Sequence, residues 1–172
     1  MVSNWTCLFP CAGIDPGLSG ALAFWNGIEM EVWDTVRWVG CTGKRSYDLD
    51  DLWGILDACG ISFGVPVFIE AVGHRPGEGS ASVKKMGYGE GLWHGLIYGA
   101  TLDTPRVVQP VVWKRALGLL GQDKEASRAL ALRLYPELAD ALRRKKDHGR
   151  AEAVLICHYG RWVHAQQKQE LS

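Results

Sequence analysis

Glu70 sets the strongest constraint on how this chain folds. It interrupts the run Val65-Pro66-Val67-Phe68-Ile69-Glu70-Ala71-Val72, which is otherwise uncharged. A short continuous apolar run reads as a strand buried on both faces. A carboxylate there is costly unless it is paired or binds a cation. Asp15 poses the same problem, because it closes the apolar run 7–15 just before Pro16-Gly17. That run reads as a second buried strand, stopped by a turn. Taken singly, each acid is accounted for by a cap or a salt bridge. On neighbouring strands the two fall near the same end of a sheet, where like charges repel and a divalent metal removes the penalty.

The rest of the chain supplies such a sheet. Runs 20–25 and 28–36 flank Asn26-Gly27, a strong hairpin signal because both residues tolerate positive φ. The chain therefore opens as a three-strand meander. Residues 48–59 have helical spacing at Leu49, Leu52, Trp53 and Leu56, with Asp48 as N-cap and Gly60 as a stop. A Gly-, Pro- and Ser-bearing loop covers 73–82, a glycine-rich helix 83–102 and a strand 106–111. Helices follow at 112–120, 124–135 and 137–145, then a final amphipathic helix at 147–163. The order, βββαβαβ followed by helices, predicts an α/β fold with a mixed sheet: the first strands are antiparallel and the later ones return through crossover helices. A length of 172 residues fits one domain.

The final helix adds a third group of ligands. His148 and Glu152 are four residues apart and share a face. Asp147 lies about 100° away around the helix and suits its N-cap. Two acids on strands with a Glu and a His on the helix form an oxygen-rich set, suited to Mg²⁺ or Mn²⁺ rather than Zn²⁺. Such a set fits two-metal phosphodiester hydrolysis, with two ions per active site.

Formal net charge is zero, but acidic residues dominate before about residue 110 and basic ones after it. The densest basic block, Arg143-Arg144-Lys145-Lys146, directly precedes the final helix and reads as a phosphate clamp. The five cysteines are scattered, with no second pair to complete a zinc site, as expected for thiols in a reducing compartment. No apolar run is long enough for a membrane helix, and residues 1–7 lack the features of a secretory signal. These features place the chain in a cytoplasm, or in an organelle interior after loss of a transit peptide.

Several segments together match a known family. The stretch Gly13-Ile14-Asp15-Pro16-Gly17-Leu18-Ser19-Gly20-Ala21-Leu22-Ala23 resembles the first strand and turn of RuvC-type Holliday-junction resolvases, and Phe68-Ile69-Glu70 resembles their second acidic strand. Val112-Trp113-Lys114, residues 124–136 and Lys145-Lys146-Asp147-His148-Gly149-Arg150-Ala151-Glu152-Ala153 resemble their C-terminal half, in its chloroplast and phage-like branch. The resemblance implies a retroviral-integrase-like (RNase H-like) fold and a homodimeric endonuclease that cuts four-way DNA junctions symmetrically. It also implies Mg²⁺ or Mn²⁺ held by four residues. Asp15 and Glu70 match two of these, and the other two fall on the last helix. Bacterial members place that pair three residues apart, yet three before Glu152 stands Gly149, which cannot coordinate. His148 is the expected fourth ligand, with Asp147 as the alternative.

For DNA contacts the resemblance points to the loop after Glu70 and the helix it enters, with His74, Arg75, Lys84 and Lys85. Lys114 and Arg115 after the later strand, and Lys145 and Lys146 before the final helix, complete that set. In helix 83–102, Trp93, Leu96, Ile97 and Tyr98 form either a dimer face or ordinary core. Other readings are an RNase H-like nuclease acting on flaps or RNA–DNA hybrids, and a catalytically silent junction-binding module. An actin-like kinase would need a second lobe for which the chain has no room.

Overall fold

The computed structural model describes residues 9–35, 37–39, 43, 45–73 and 79–170. Three antiparallel strands, β1 (Cys11–Asp15), β2 (Ala21–Trp25) and β3 (Met30–Asp34), form the expected meander. Gly27 has φ of 106°, and the Asn26 side chain accepts from the amides of Ile28 and Glu29, which closes the first hairpin. A small hairpin, β4 (Arg37–Val39) with β5 (Arg45–Tyr47), follows; nothing in the sequence pattern announced it. Helix α1 (Leu49–Ala58) begins at Asp48, whose side chain accepts from the amide of Asp51, and Gly60 follows it at φ 66°.

Strand β6 (Val67–Glu70) pairs parallel to β1, and β7 (Arg106–Val108) pairs parallel to β6. Helix α2 (Ser80–Thr101) makes the crossover between β6 and β7. The strand order is β3-β2-β1-β6-β7, a mixed five-stranded sheet. Strand β7 ends sooner than expected because Pro110 opens α3 (Pro110–Ala116), a position where proline's missing N–H costs nothing. Helix α4 (Lys124–Leu134) is capped by Asp123, whose side chain accepts from the amide of Ala126. The helix expected over 137–145 is absent: only the 3₁₀ turns Pro136–Leu138 and Lys145–Asp147 form there. The final helix, α5 (His148–Glu170), runs further than predicted.

Both faces of the sheet are covered, which is why its central strands carry no polar alternation. Ile14, Val67 and Ile69 pack with Leu52 and Leu56 of α1 and with Trp93 and Ile97 of α2. Phe68 and Cys11 face the other way, onto α5. Helix α5 comes unusually close: a Cβ on Gly13 would lie 2.2 Å from the Cys157 backbone nitrogen. Two sequence expectations change here. Leu49 and Trp53 are exposed, and Ile55 takes the core position instead. Trp93 and Ile97 are fully buried within the subunit, so they belong to the core and not to a dimer face; Leu96 packs beside them and Tyr98 is exposed. Among the described residues no helix is long and apolar enough to cross a membrane. Cys59 and Cys157 are buried free thiols, and Cys11 is also buried.

Candidate active site

Ile14 and Ile69 form the last register pair between β1 and β6. Asp15 and Glu70 are the next residue on each strand. They continue the side of Gly13 and Phe68, the side that carries α5. The fold therefore places both acids at one sheet end, beneath the start of α5, where Glu152 is buried and His148 half-buried.

Each acid is held by specific neighbours. The Gly17 amide donates to Asp15 Oδ1 at 3.0 Å, folding the Pro16-Gly17 turn back onto the carboxylate. Tyr47 from β5 buttresses that turn: its hydroxyl donates to the Pro16 carbonyl at 2.8 Å. Trp113 Nε1 donates to Glu70 Oε1 at 3.0 Å. The next residue of α3, Lys114, places its ammonium 2.9 Å from Glu152 Oε1. His148 Nε2 lies 3.2 Å from Lys124 Nζ, at the first turn of α4.

The electrostatics record a crowded set of negative charges. Burial pushes the Asp15 carboxyl up to about 6; the Gly17 amide opposes this, Glu152 repulsion adds to it, and His148 and Lys124 oppose it. Burial, then repulsion from Asp15 and Glu152, pushes Glu70 up to about 7 against the bond from Trp113 and the charge of Lys114. Asp15 thus feels Glu70's neighbour Glu152 and also His148, which sets these four side chains around one region. Their chemistry suits a hard divalent cation. As they stand, however, no three His, Cys, Asp or Glu side chains among the described residues converge closely enough to hold an ion.

Asp147 turns elsewhere. It does not cap α5; it closes the 3₁₀ turn before it. Its Oδ2 accepts from the Arg144 amide at 2.8 Å, and its Oδ1 accepts from Arg144 Nη2 at 2.8 Å. Burial works against the charged form, but the Arg144 bonds outweigh it and hold the carboxyl below its ordinary value. Arg144 is therefore committed to an acid, whereas Arg143, Lys145 and Lys146 are exposed. Lys114, expected to face DNA, pairs with Glu152; Arg115, Lys84 and Lys85 are exposed. His74 and Arg75 lie outside the described residues. Sequence reasoning left Trp113, Lys124 and Tyr47 out of the site. Trp113 could have been found: an indole beginning the helix after a strand that neighbours Glu70 has a buried acceptor within reach.

The fold is that of the RuvC resolvases, the RNase H-like class. The chain superposes on T. thermophilus RuvC in complex with Holliday junction substrate with a TM-score of 0.55 at 15% identity, over 91% of this chain and 96% of that one. Another Thermus thermophilus RuvC structure gives a TM-score of 0.49 at 16% identity over 92% and 97% of the two chains. In sequence, 92 residues, 52% of this chain, are 39% identical to the chloroplastic Holliday junction resolvase MOC1 of Chlamydomonas reinhardtii. The match spans 10% of that relative's length. No protein-family model matches the chain. The likeness to RuvC is thus one of fold, and the likeness to the chloroplastic resolvase is one of sequence over about half of this chain.

Proposed function

We propose that this chain is a single-domain, structure-selective endonuclease that resolves four-way DNA junctions with Mg²⁺ or Mn²⁺. The observation that carries the reading is the placement of Asp15 and Glu70, each next after the last register pair of β1 and β6, at one sheet end under α5, with both carboxyls pushed up by burial and by repulsion from Glu152. Such an arrangement is unfavourable until a cation joins it. Asp15, Glu70, Glu152 and His148 are the proposed ligands for two ions. When bound, the metal lowers the pKa of an attacking water and stabilises the leaving 3′-oxygen. The chain's own residues orient this set: the Gly17 amide fixes Asp15, Trp113 fixes Glu70, and Lys114 balances Glu152 until the ions arrive. Symmetric cutting of two strands calls for a homodimer with a two-fold axis. The exposed side of α2, where Gly87, Gly91 and Gly95 meet nothing within 4 Å, is the proposed contact, with Tyr88 and Tyr98 exposed on the same helix. Exposed Lys84, Lys85, Arg115, Lys145 and Lys146 are the proposed phosphate contacts.

The test is incubation with a four-way junction, a flap, an RNA–DNA hybrid and a plain duplex, with Mg²⁺ or EDTA. Paired symmetric nicks in the junction alone, dependent on Mg²⁺, are the expected result. Preferential cutting of flaps or hybrids would reassign the substrate. Binding without cutting under every metal would make the chain a silent junction-binding module, with the Lys114–Glu152 ion pair standing in for the cation.

A further inference from the structure

A second polar feature adjoins His148. It is a cleft of about 360 Å³ between the β1–β2 turn, the end of β3 and the start of α5. Its walls include Asp34, Thr35, Arg37, Arg144, Lys146 and Asp147. The two acids are already satisfied. Asp34 accepts two bonds from Arg150, at 2.6 Å each, and Asp147 is bound by Arg144. Among the described residues no acid pairs with Arg37 or Lys146. The cleft therefore carries surplus positive charge. In its wall the Thr35 hydroxyl is buried, with Thr35 only 2% exposed, and has no hydrogen-bond partner. Leaving a buried polar group unpaired is costly, so a ligand that accepts from it is favoured. Two uncommitted cations and an unpaired hydroxyl beside neutralised acids match an oxyanion that offers several acceptors and a single charge.

We propose that this cleft binds one backbone phosphodiester of the nucleic-acid strand being cut, a near neighbour of the scissile phosphate. The placement rests on the nuclease reading above, because His148 lines the cleft and also acts electrostatically on Asp15. A strand lying across the carboxylates and passing His148 enters the cleft next. Arg37 grips the phosphate from β4, Lys146 closes on it from the turn before α5, and Thr35 donates from beneath. The site fixes the register of the strand, so that the scissile phosphate falls over Asp15 and Glu70.

The test pairs protein and phosphate substitutions. Four-way junctions carry a neutral methylphosphonate at each position flanking the cut in turn, and binding is measured in Ca²⁺ for the wild type and for Arg37→Ala. Arg37 is exposed, so the variant keeps the fold. One methylphosphonate position should weaken wild-type binding roughly tenfold, as expected for a lost charged hydrogen bond, and leave Arg37→Ala unaffected. Junction binding in which no position couples to Arg37 overturns the proposal. Dimethyl phosphate, followed by shifts of the Thr35 and Arg37 amides in NMR spectra, separates the two readings. If the wild type binds no junction, yet these amides shift in an Arg37-dependent way, the phosphate site stands and the nuclease reading falls. Shifts that are absent, or that persist in Arg37→Ala, overturn the site.

Discussion

A Cβ on Gly149 would lie 2.3 Å from the carbonyl oxygen of Ser19. The first turn of α5 thus sits directly on the β1–β2 turn, the same turn that folds back onto Asp15. This contact leaves no room for a side chain at 149, three residues before Glu152. A carboxylate at 149 would need α5 to lift off the sheet, and that would carry Glu152 away from Asp15. Gly149→Ala should therefore destabilise the fold although alanine is the better helix former. Backbone cannot yield as a side chain tip does, so a loss of about 2–3 kcal/mol is expected, in the range of overpacking substitutions. Urea denaturation measures it; a variant as stable as the wild type would show that the helix shifts freely.

Asp15 and Glu70 make stability depend on pH in a defined direction. Both carboxyls titrate higher in the folded protein, about 6 and about 7, than their ordinary values of 3.8 and 4.5. The folded state then holds protons that the unfolded chain releases, so without divalent cation stability falls as pH rises from about 4 through 7. At the proposed metal site Mg²⁺ would bind the ionised form, so its stabilising effect should be small at pH 5 and large at pH 8. Asp15→Asn and Glu70→Gln should each raise the melting temperature at pH 8 in EDTA while lowering junction cleavage by orders of magnitude and leaving junction binding intact. Calorimetry with and without Mg²⁺ checks the first part, and strand-nicking assays the second. A melting temperature that climbs from pH 5 to pH 8 in EDTA would contradict the repulsion described here.

Lys114 balances Glu152 in the absence of metal, at 2.9 Å and with side-chain exposures of 29% and 11%. Replacing it with methionine keeps much of the stem and removes the charge, which also lies over the Trp113 ring at 5.0 Å from its centroid. Lys114→Met should lower stability in EDTA, because Glu152 then lies buried without a counter-charge. The same change should enlarge the rise in melting temperature on adding Mg²⁺, since the cation no longer competes with an ammonium. Equal Mg²⁺ responses in the two proteins would mean that Lys114 and the ion use different oxygens of the site.

The parts of this site that can be read from the sequence are those with a cost that burial makes visible. Glu70 and Asp15 stand out because an acid in an apolar run needs a partner, and the strand register then brings them side by side. Helix α1 is legible from end to end because Asp48 and Gly60 mark both its limits. Residues 137–145 mislead: their composition is helical, but Pro136 and the pairing of Arg144 with Asp147 resolve them into short 3₁₀ turns. Tyr47 and Arg37 carry no pattern of their own; their roles come from a hairpin whose strands are only three residues long. Asp147 reads in the sequence as the N-cap of the final helix, yet it closes the 3₁₀ turn before that helix by binding Arg144.

That arrangement at the start of α5 separates the two candidates for the fourth ligand. His148 Nε2 faces Lys124 Nζ at 3.2 Å, and an ammonium only donates, so this nitrogen is the ring's acceptor and is free to accept a cation in its place. Asp147 is 5% exposed and spends both oxygens on Arg144. His148→Ala should therefore cost cleavage by orders of magnitude and leave stability nearly unchanged. Asp147→Asn should do the reverse. It removes the charge that Arg144 binds, which lowers stability by about 1–3 kcal/mol, yet below its melting temperature it should still cut at a rate near the wild type's. Rates on one four-way junction at saturating Mg²⁺ and 15 °C, together with melting temperatures, decide the matter. A stable but inactive Asp147→Asn beside an active His148→Ala would make Asp147 the ligand, and Arg144 would then be the residue that releases it when metal arrives.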